Sequence, residues 1–300
     1  MTRLYRDEMP EPGDRQSFMN TISLKPTCKH TMSNCTTKPE IPSMAGISLA
    51  PSPKGYSRDQ DKAVTPAETL AKVRERLKSL PLSIFAETRR IDTGRLCIPF
   101  FLSVFREDAR RIMPTRKQMG KGASPEQAEA SALMELMERY GFFSFWQRLP
   151  GAVRATWSEA SQRFGSSLIP IEETVRACHD AISPDQAERI MNLRRWIFIP
   201  CLRVADRKVL YAPLDLFKAL GEFNGSSAGN TDVESLLQGA SELVERHVCC
   251  LIDRQRLSVP SIAQDAASLG DPLLIELLSN FTSQGIKVIL KAFSIGMPVP

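Results

Sequence analysis

The sequence Glu135-Leu136-Met137-Glu138-Arg139 returns as Glu242-Leu243-Val244-Glu245-Arg246, and this pair of motifs decides how the chain can fold. When Arg139 is aligned with Arg246, the surroundings of the two motifs also fall into register. Each copy has a glycine loop, then the start of a helix, then Glu-x-x-Glu-Arg about three turns into that helix. Such an internal repeat predicts two related halves that face each other. The matched positions are Gly122 with Gly229, Ser131 with Gln238, Glu135 with Glu242 and Glu138 with Glu245.

Helix geometry gathers the acidic side chains of each copy into a line. At about 100° per residue, four polar side chains of each helix fall within roughly 80° of one another. Stacked carboxylates repel one another, so five of them on two helices call for a cation between them. Magnesium fits, because it takes oxygen ligands and usually bridges a few carboxylates to the phosphates of a substrate. The two lines are Gln127, Ser131, Glu135 and Glu138 in the first helix, and Glu234, Gln238, Glu242 and Glu245 in the second.

An ordinary structural interpretation stands beside this one. Glu135 with Arg139, or Glu242 with Arg246, can form the surface ion pairs that are common at i, i+4 spacing, and the chain would then be a structural helical protein. Two copies, each preceded by a glycine loop, favour a functional site. The sequence contains no Gly-x-x-x-x-Gly-Lys-Ser/Thr, so a nucleotide site in this chain is not a P-loop.

Composition narrows the class of protein. The 300 residues are 42% hydrophobic and 24% charged, enough to bury a core. The net charge of +5 is mild and no long basic run occurs, so nucleic acid is not expected as a partner and anionic small molecules fit equally well. The seven cysteines include no Cys-x-x-Cys pair and the three histidines are scattered, which argues against zinc and favours reduced thiols.

The chain shows no targeting signal for membranes or secretion. Its first twenty residues hold no apolar run, and no stretch approaches the roughly 18 apolar residues that a membrane helix needs. We therefore expect a cytoplasmic protein without a membrane partner.

Residues 1–56 are rich in Pro, Ser, Thr and Lys and predict a flexible N-terminal extension, followed by one folded domain over 57–300. Capping patterns predict helices over 65–80, 124–146 and 231–252, the first and last opened by a capping box. Residues 151–192 look mostly helical. The chain ends at Pro300 directly after a strand-like run, so we expect a domain truncated at its C-terminus. Predicted strands lie at 82–87, 96–105, 196–204, 209–214 and 286–293.

These residues resemble the YcaO family of ATP-dependent enzymes that act on backbone amides. Ser131-x-x-x-Glu135-x-x-Glu138-Arg139 is similar to the family's first nucleotide motif. Ser227-x6-Glu234-x-x-x-Gln238 is similar to its second, with Glu242-x-x-Glu245-Arg246 at the expected spacing. Lys62, seven residues before Thr69, is placed like the family's basic and hydroxyl phosphate contacts. The resemblance covers about 54–300, and the family's third motif, Gln/Glu-x-x-x-Arg, has no counterpart before Pro300.

The resemblance implies an α+β fold of two related α/β halves, with ATP and magnesium ions held between helices. It implies that five glutamates are metal ligands: Glu135, Glu138, Glu234, Glu242 and Glu245. It places eight further side chains at the nucleotide: Lys62, Thr69, Ser131, Arg139, Ser227, Asn230, Gln238 and Arg246.

The function implied is ATP-dependent O-phosphorylation of a peptide backbone amide, which leads to an azoline or a thioamide. Phosphorylation suits this chemistry because an amide oxygen is a poor leaving group and magnesium offsets the charge that develops. No catalytic base is evident. Expected partners are a peptide or protein substrate, a leader-binding or TfuA-like protein, and a second copy of the chain in a homodimer. The alternative is an ATP-binding accessory protein whose incomplete site supports another modification enzyme.

Overall fold

Two three-stranded antiparallel sheets, each covered by helices, form the described part of the chain. The computed structural model describes residues 47, 49–55, 62–92, 94–96, 98–114, 117–177, 182–262 and 269–297, all within a single unit, Glu40–Pro300. Most of the predicted N-terminal extension lies outside these residues. Two residues assigned to it, Ser52 and Gly55, contact the domain: the hydroxyl of Thr231 donates to Ser52 Oγ, and Gly55 N–H donates to the Lys62 carbonyl.

The first sheet carries the helix of the first motif. Strands β1 (Phe85–Arg90), β2 (Phe100–Phe105) and β3 (Lys117–Lys121) pair in that order, and a short 3-10 helix, Glu107–Arg111, links the last two. Helix α1 (Pro66–Lys78) begins at the predicted capping box, in which Thr65 and Glu68 cap one another. Helix α2 (Pro125–Arg148) begins after Ser124. Their apolar faces meet in one core, to which Ile84 and Met113 also belong: Leu70, Val73, Leu77, Leu133, Leu136 and Tyr140.

The second sheet lies between the two motifs along the chain. Strand β4 (Val153–Ala155) pairs with β5 (Trp196–Arg203), which forms the predicted hairpin with β6 (Lys208–Pro213). The predicted helical region contains α3 (Trp157–Phe164), α4 (Ile171–Ala177) and α5 (Pro184–Met191). An aromatic core of Trp157, Phe164, Trp196, Phe198 and Tyr211 holds this sheet to its helices.

Beyond the second sheet, the described residues form helices α6 (Leu214–Gly221), α7 (Asp232–Gln255) and α8 (Pro272–Ser283). Helix α7 carries the second motif. None of the described helices is both long and apolar enough to cross a bilayer.

The predicted strand at 286–293 is wrong. In this segment the only regular pairing among the described residues is a single bridge between Ser261 and Lys291. Pro260 lies beside this bridge and has no N–H to donate, so a ladder cannot extend through it. An apolar run without a partner strand cannot become a sheet strand, whatever its intrinsic propensity.

Candidate functional site

The structure contains the internal repeat that the two Glu-x-x-Glu-Arg motifs predict, and the two motif helices have matching boundaries. Helices α2 and α7 are each 24 residues long, and both their first and last residues are displaced by the same offset that separates Arg139 from Arg246. Each helix is followed by a residue in the left-handed conformation, Leu149 (φ 40°) and Arg256 (φ 51°). The two helices are therefore equivalent elements from cap to cap.

The helix starts are also equivalent in their hydrogen bonds. Ser124 accepts from Gln127 N–H in α2, and Thr231 accepts from Glu234 N–H in α7. At neither start does the side chain of the third helical residue, Gln127 or Glu234, return to the cap N–H. Instead, Gln127 Oε1 accepts from Ala123 N–H. The predicted capping box at Thr231 is thus only half formed.

The Glu234 carboxylate does not bind the cap N–H and instead accepts hydrogen bonds from two loops. Its Oε1 accepts from the backbone N–H and the side-chain amide of Asn230, both at 3.1 Å, and its Oε2 accepts from Ala63 N–H at 3.0 Å. The hydroxyl of Thr69 donates toward Asn230 Oδ1 at 3.1 Å. A polar chain therefore joins the start of α1, the loop before α7 and the first turn of α7.

The glycines before the helices allow the loops to lie directly on the helix backbones. A Cβ at Gly122 would meet Ala128 N at 2.8 Å, and one at Gly229 would meet Ser235 N at 2.4 Å. These partners are themselves equivalent positions in the repeat. Both glycines are required by close approach, since neither has a positive φ.

The two acidic lines meet in a pair of adjoining cavities between α2 and α7. The first has a volume of about 370 Å³ and the second about 560 Å³, both in the range of small-molecule sites. Ser131, Glu135, Glu138 and Gln238 line both. The first cavity adds the predicted residues Lys62, Thr69, Asn230 and Glu234. The second adds Arg139, Glu242, Glu245 and Arg246. Of the predicted site residues, Ser227 alone lines neither cavity.

Ser227 is occupied inside the protein. Its hydroxyl donates to the Ser235 carbonyl at 2.6 Å and lies 3.0 Å from the position that a Cβ on Gly239 would take. Ser227 therefore fixes the loop before α7 onto that helix. Its equivalent in the first copy is Gly120, which lies directly against α2.

Glu138 and Arg139 form the most buried charged part of the site. Arg139 Nη1 lies 3.1 Å from Glu138 Oε1, and its guanidinium stacks over the Phe223 ring at 4.8 Å. That buried Nη1 nevertheless has no acceptor in line with its N–H in the part of the chain that the structure describes. The Ser226 hydroxyl, 3.0 Å from Glu138 Oε1, connects this pair to the loop before α7.

Burial raises the pKa of both Glu135 and Glu138 above the usual value of 4.5. For Glu135 the raising effect of burial outweighs the opposing effects of Arg139 and of the Met119 N–H. For Glu138 it likewise outweighs Arg139 and Ser226, and Glu242 adds repulsion. Charged carboxylates here are costly without a further cation.

The second motif is more open. Glu242 accepts from Gly225 N–H at 3.2 Å and lies 3.6 Å from Arg246, whose side chain is 54% exposed. Glu245 forms no hydrogen bond or ion pair with any residue that the structure describes. The i, i+4 ion pairs, Glu135 with Arg139 and Glu242 with Arg246, therefore exist in both copies. They involve only some of the glutamates in the acidic lines.

Magnesium bound together with phosphates fits this donor set better than a protein-only cage. No three of the acidic, histidine or cysteine side chains in the described ranges lie close enough together to hold a metal ion. Magnesium sites that bind nucleotides need only one or two carboxylates per ion, because phosphates and water complete the octahedron. The half-buried Glu135 and Glu138, with raised pKa values and an imperfectly paired Arg139, would supply such ligands from one side.

Comparison with known proteins places the chain in a family of this chemistry. Residues 119–300 match the family model described as YcaO cyclodehydratase, ATP- and Mg2+-binding. The match spans both motif helices, and the chain belongs to the YcaO family. ATP and Mg2+ are the cofactors of this family.

Two curated relatives extend the match. The Escherichia coli protein described as ribosomal protein S12 methylthiotransferase accessory factor YcaO is 28% identical over 198 residues, 60% of this chain and 34% of its own length. A Rhizobium leguminosarum protein described as an uncharacterized protein in the tfuA 3' region is 26% identical over 276 residues, 87% of this chain and 60% of its own. The chain thus spans between a third and three fifths of these relatives.

Among solved structures, a heterocyclase in complex with substrate and cofactor matches with a TM-score of 0.54 at 22% identity, over 76% of this chain and 34% of that one. This likeness shows the shared mixed α and β fold. YcaO from Methanopyrus kandleri, bound with AMPPCP and Mg2+, matches at 21% identity over 71% of this chain and 51% of its own, with a TM-score of 0.46.

Sequence reasoning missed the residues that act through their backbone. Gly225 N–H binds Glu242, and Ala63 N–H binds Glu234. A main-chain donor leaves no mark in the residue type, so no motif could reveal it. Ser226 could have been found, since it follows Gly225 in the loop before the second motif.

Proposed function

We propose that this chain binds MgATP between α2 and α7 and uses it to O-phosphorylate a backbone amide of a peptide. The observation that carries the proposal is the pair of adjoining cavities, which share Glu135, Glu138, Ser131 and Gln238. The glutamates of both motifs line them, as a site for two or more magnesium ions and a triphosphate requires.

The chain's own residues would have distinct roles. Lys62, Thr69 and Asn230 line the first cavity and would contact the nucleotide, with Ser131 and Gln238 at the boundary. Glu135, Glu138, Glu234, Glu242 and Glu245 would hold magnesium. Arg139 and Arg246 line the second cavity beside these carboxylates and would orient them or meet phosphate oxygens.

When bound, MgATP would supply a phosphoryl group to the amide oxygen after a nucleophile has added to the carbonyl carbon, and that oxygen would then leave as phosphate, with ADP as the second product. A nucleophile from a neighbouring side chain of the substrate gives an azoline, whereas an external sulfur donor gives a thioamide. The likeness to an uncharacterized protein of the tfuA 3' region supports a TfuA-like partner. The heterocyclase likeness is one of fold alone.

Differential scanning fluorimetry with ATP and Mg2+ tests the binding step. MgATP should raise the melting temperature, and Glu135→Ala or Glu242→Ala should abolish the rise. Glu188→Ala, at an exposed position on α5, is the matched control and should retain it. Equal MgATP responses in all three variants and the parent would rule out the carboxylate assignment.

An accessory role is the second candidate. The Escherichia coli relative is described as an accessory factor, which supports a function in aid of another modification enzyme. Phosphate release separates the two candidates. The enzyme proposal expects peptide-stimulated release of phosphate from ATP, while an accessory protein would bind MgATP without peptide-stimulated turnover.

A further inference from the structure

Strand β3 has an outer edge, here called its free edge, that pairs with no strand among the described residues and faces the second cavity. It is the outer strand of its sheet, and Lys117, Met119 and Lys121 all line that cavity, together with the intervening residues. The opposite wall of the cavity is formed by α7 through Glu242, Glu245 and Arg246. The edge of β3 and the acidic line of the second motif therefore face each other across the second cavity, which has a volume of about 560 Å³.

The register shows which groups of β3 point to this edge. Ile91 N–H donates to the Phe100 carbonyl on the β1 side of β2, so Phe100 does not hydrogen-bond to its β3 partner Lys121. In an antiparallel ladder the residues of such pairs turn their N–H and C=O outward. Lys121, Met119 and Lys117 therefore present their backbone groups to the cavity.

The side chains at these positions leave the edge accessible. Lys117, Met119 and Lys121 are exposed, whereas Gln118 and Gly120 are buried against the rest of the domain. Neither lysine forms an ion pair or hydrogen bond with any described residue. An edge of this kind is a template for another extended chain.

We infer that the free edge of β3 binds an extended segment of the peptide substrate by strand addition. The occupant is a peptide in β conformation, recognised through its main chain, with the two lysines favouring acidic side chains next to the paired segment. This inference rests on the proposed function and names how the same site receives its amide. Pairing with β3 places a run of peptide groups beside Glu135, which lines the second cavity with that edge and lines the first cavity as well.

A peptide with periodic N-methylation tests strand addition. The probe is a fluorescein-labelled nonapeptide of alternating Thr and Val around a central Cys, measured by fluorescence anisotropy with AMPPCP and Mg2+. N-methylation of residues that turn toward β3 removes a ladder donor and should weaken binding roughly tenfold. N-methylation of the intervening residues should change affinity much less, so the scan should alternate with a period of two.

The protein side uses Lys121→Pro with Lys121→Ala as its matched comparison. Both remove the lysine side chain, but only proline removes the outward N–H, and an edge position tolerates it. Lys121→Pro should bind the unmodified nonapeptide more weakly than Lys121→Ala. Circular dichroism checks folding, and the N-methyl scan on the parent protein stands if the proline variant misfolds.

The outcomes separate the two proposals. Absence of nonapeptide binding at millimolar concentration, or a scan without alternation, overturns strand addition even if MgATP still raises the melting temperature. Loss of the MgATP response in the parent protein overturns the proposed function instead. An alternating scan together with weaker binding by Lys121→Pro than by Lys121→Ala supports strand addition.

Discussion

Glu234 combines a structural role with a proposed role as metal ligand, and the repeat provides the means to separate them. Its equivalent in the first copy is Gln127, a neutral amide whose Oε1 makes the same bond to the loop before the helix. An amide oxygen can therefore hold the loop, whereas magnesium binding needs the carboxylate charge. The two side chains differ in one terminal atom, which is Oε2 in Glu234 and an amide nitrogen in Gln127.

We expect Glu234→Gln to lower the ligand-free stability by only about 0.5–1 kcal/mol, because Oε1 still accepts from Asn230 and only the bond from Ala63 N–H to Oε2 is lost. Glu234→Ala should lose roughly 1–2 kcal/mol, since the N–H groups of Ala63 and Asn230 lose their acceptor. Both variants should lose most of the MgATP-induced rise in melting temperature. Urea unfolding and scanning fluorimetry measure the two effects. An MgATP response unchanged in Glu234→Gln would show that Glu234 is purely structural.

Glu138 gives a prediction on pH. Burial raises its pKa in the folded state, so its protonated form stabilises the fold, and this contribution is lost as pH rises above the usual 4.5 through the raised value. Glu138→Gln is neutral throughout. At pH 7 the ligand-free variant should therefore be more stable than the parent by up to about 1 kcal/mol, and the difference should shrink toward pH 4.5.

Urea unfolding of both proteins in steps across that pH range measures this difference directly, and other titrating groups cancel in the comparison. A variant less stable than the parent at pH 7 would mean that the ion pair with Arg139 outweighs burial. The same variant should respond weakly to MgATP, so stability and binding move in opposite directions.

At the scale of elements, the close packing of loops on α2 and α7 depends on glycine. Gly229→Ala should cost roughly 1–3 kcal/mol, because its Cβ would lie 2.4 Å from Ser235 N, a backbone atom that cannot move alone. Gly141→Ala is the control: Gly141 lies within α2 with nothing within 4 Å of its Cβ position, so alanine should stabilise by about 0.5–1 kcal/mol. Thermal unfolding should shift in opposite directions for the two.

Helix starts were predictable from sequence because capping is local. Ser124, Thr65 and Thr231 cap within four residues of themselves, and the three helices begin where the sequence indicates. The acidic lines follow from the same local periodicity, and all their glutamates line the cavities. The resemblance supplied Lys62 and Thr69, whose placement beside α7 depends on tertiary contacts that no local pattern contains.

Two expectations were wrong because they depended on contacts that are not local in sequence. The predicted strand at 286–293 needed a partner that the described residues do not provide beyond one bridge at Lys291. The capping box at Thr231 needed Glu234 to return to the cap, but Ala63 and Asn230 compete for its oxygens. Pairing and competition of this kind depend on residues far away in sequence.

At the scale of the whole molecule, the two equivalent helices have unequal surroundings. Helix α2 packs against the first sheet and α1, and its Leu133 and Leu136 are fully buried. In α7 only Gly239 and Val248 are buried, and Leu243, the equivalent of Leu136, is 52% exposed. Elements with few buried apolar contacts open at lower free energy.

We therefore expect α7 to exchange its amide hydrogens faster than α2 in the ligand-free protein, although the two helices have the same length. MgATP should slow exchange in α7 more than in α2. Binding through its glutamates would stabilise α7, whereas α2 is already held in place by its core packing. Helix α5, which contributes no residue to either cavity, is the internal control and should not respond. Hydrogen exchange with mass spectrometry resolves the three helices. Equal protection of α2 and α7 without ligand would mean that the polar contacts of Glu234 and Ser226 hold α7 as firmly as a hydrophobic core holds α2.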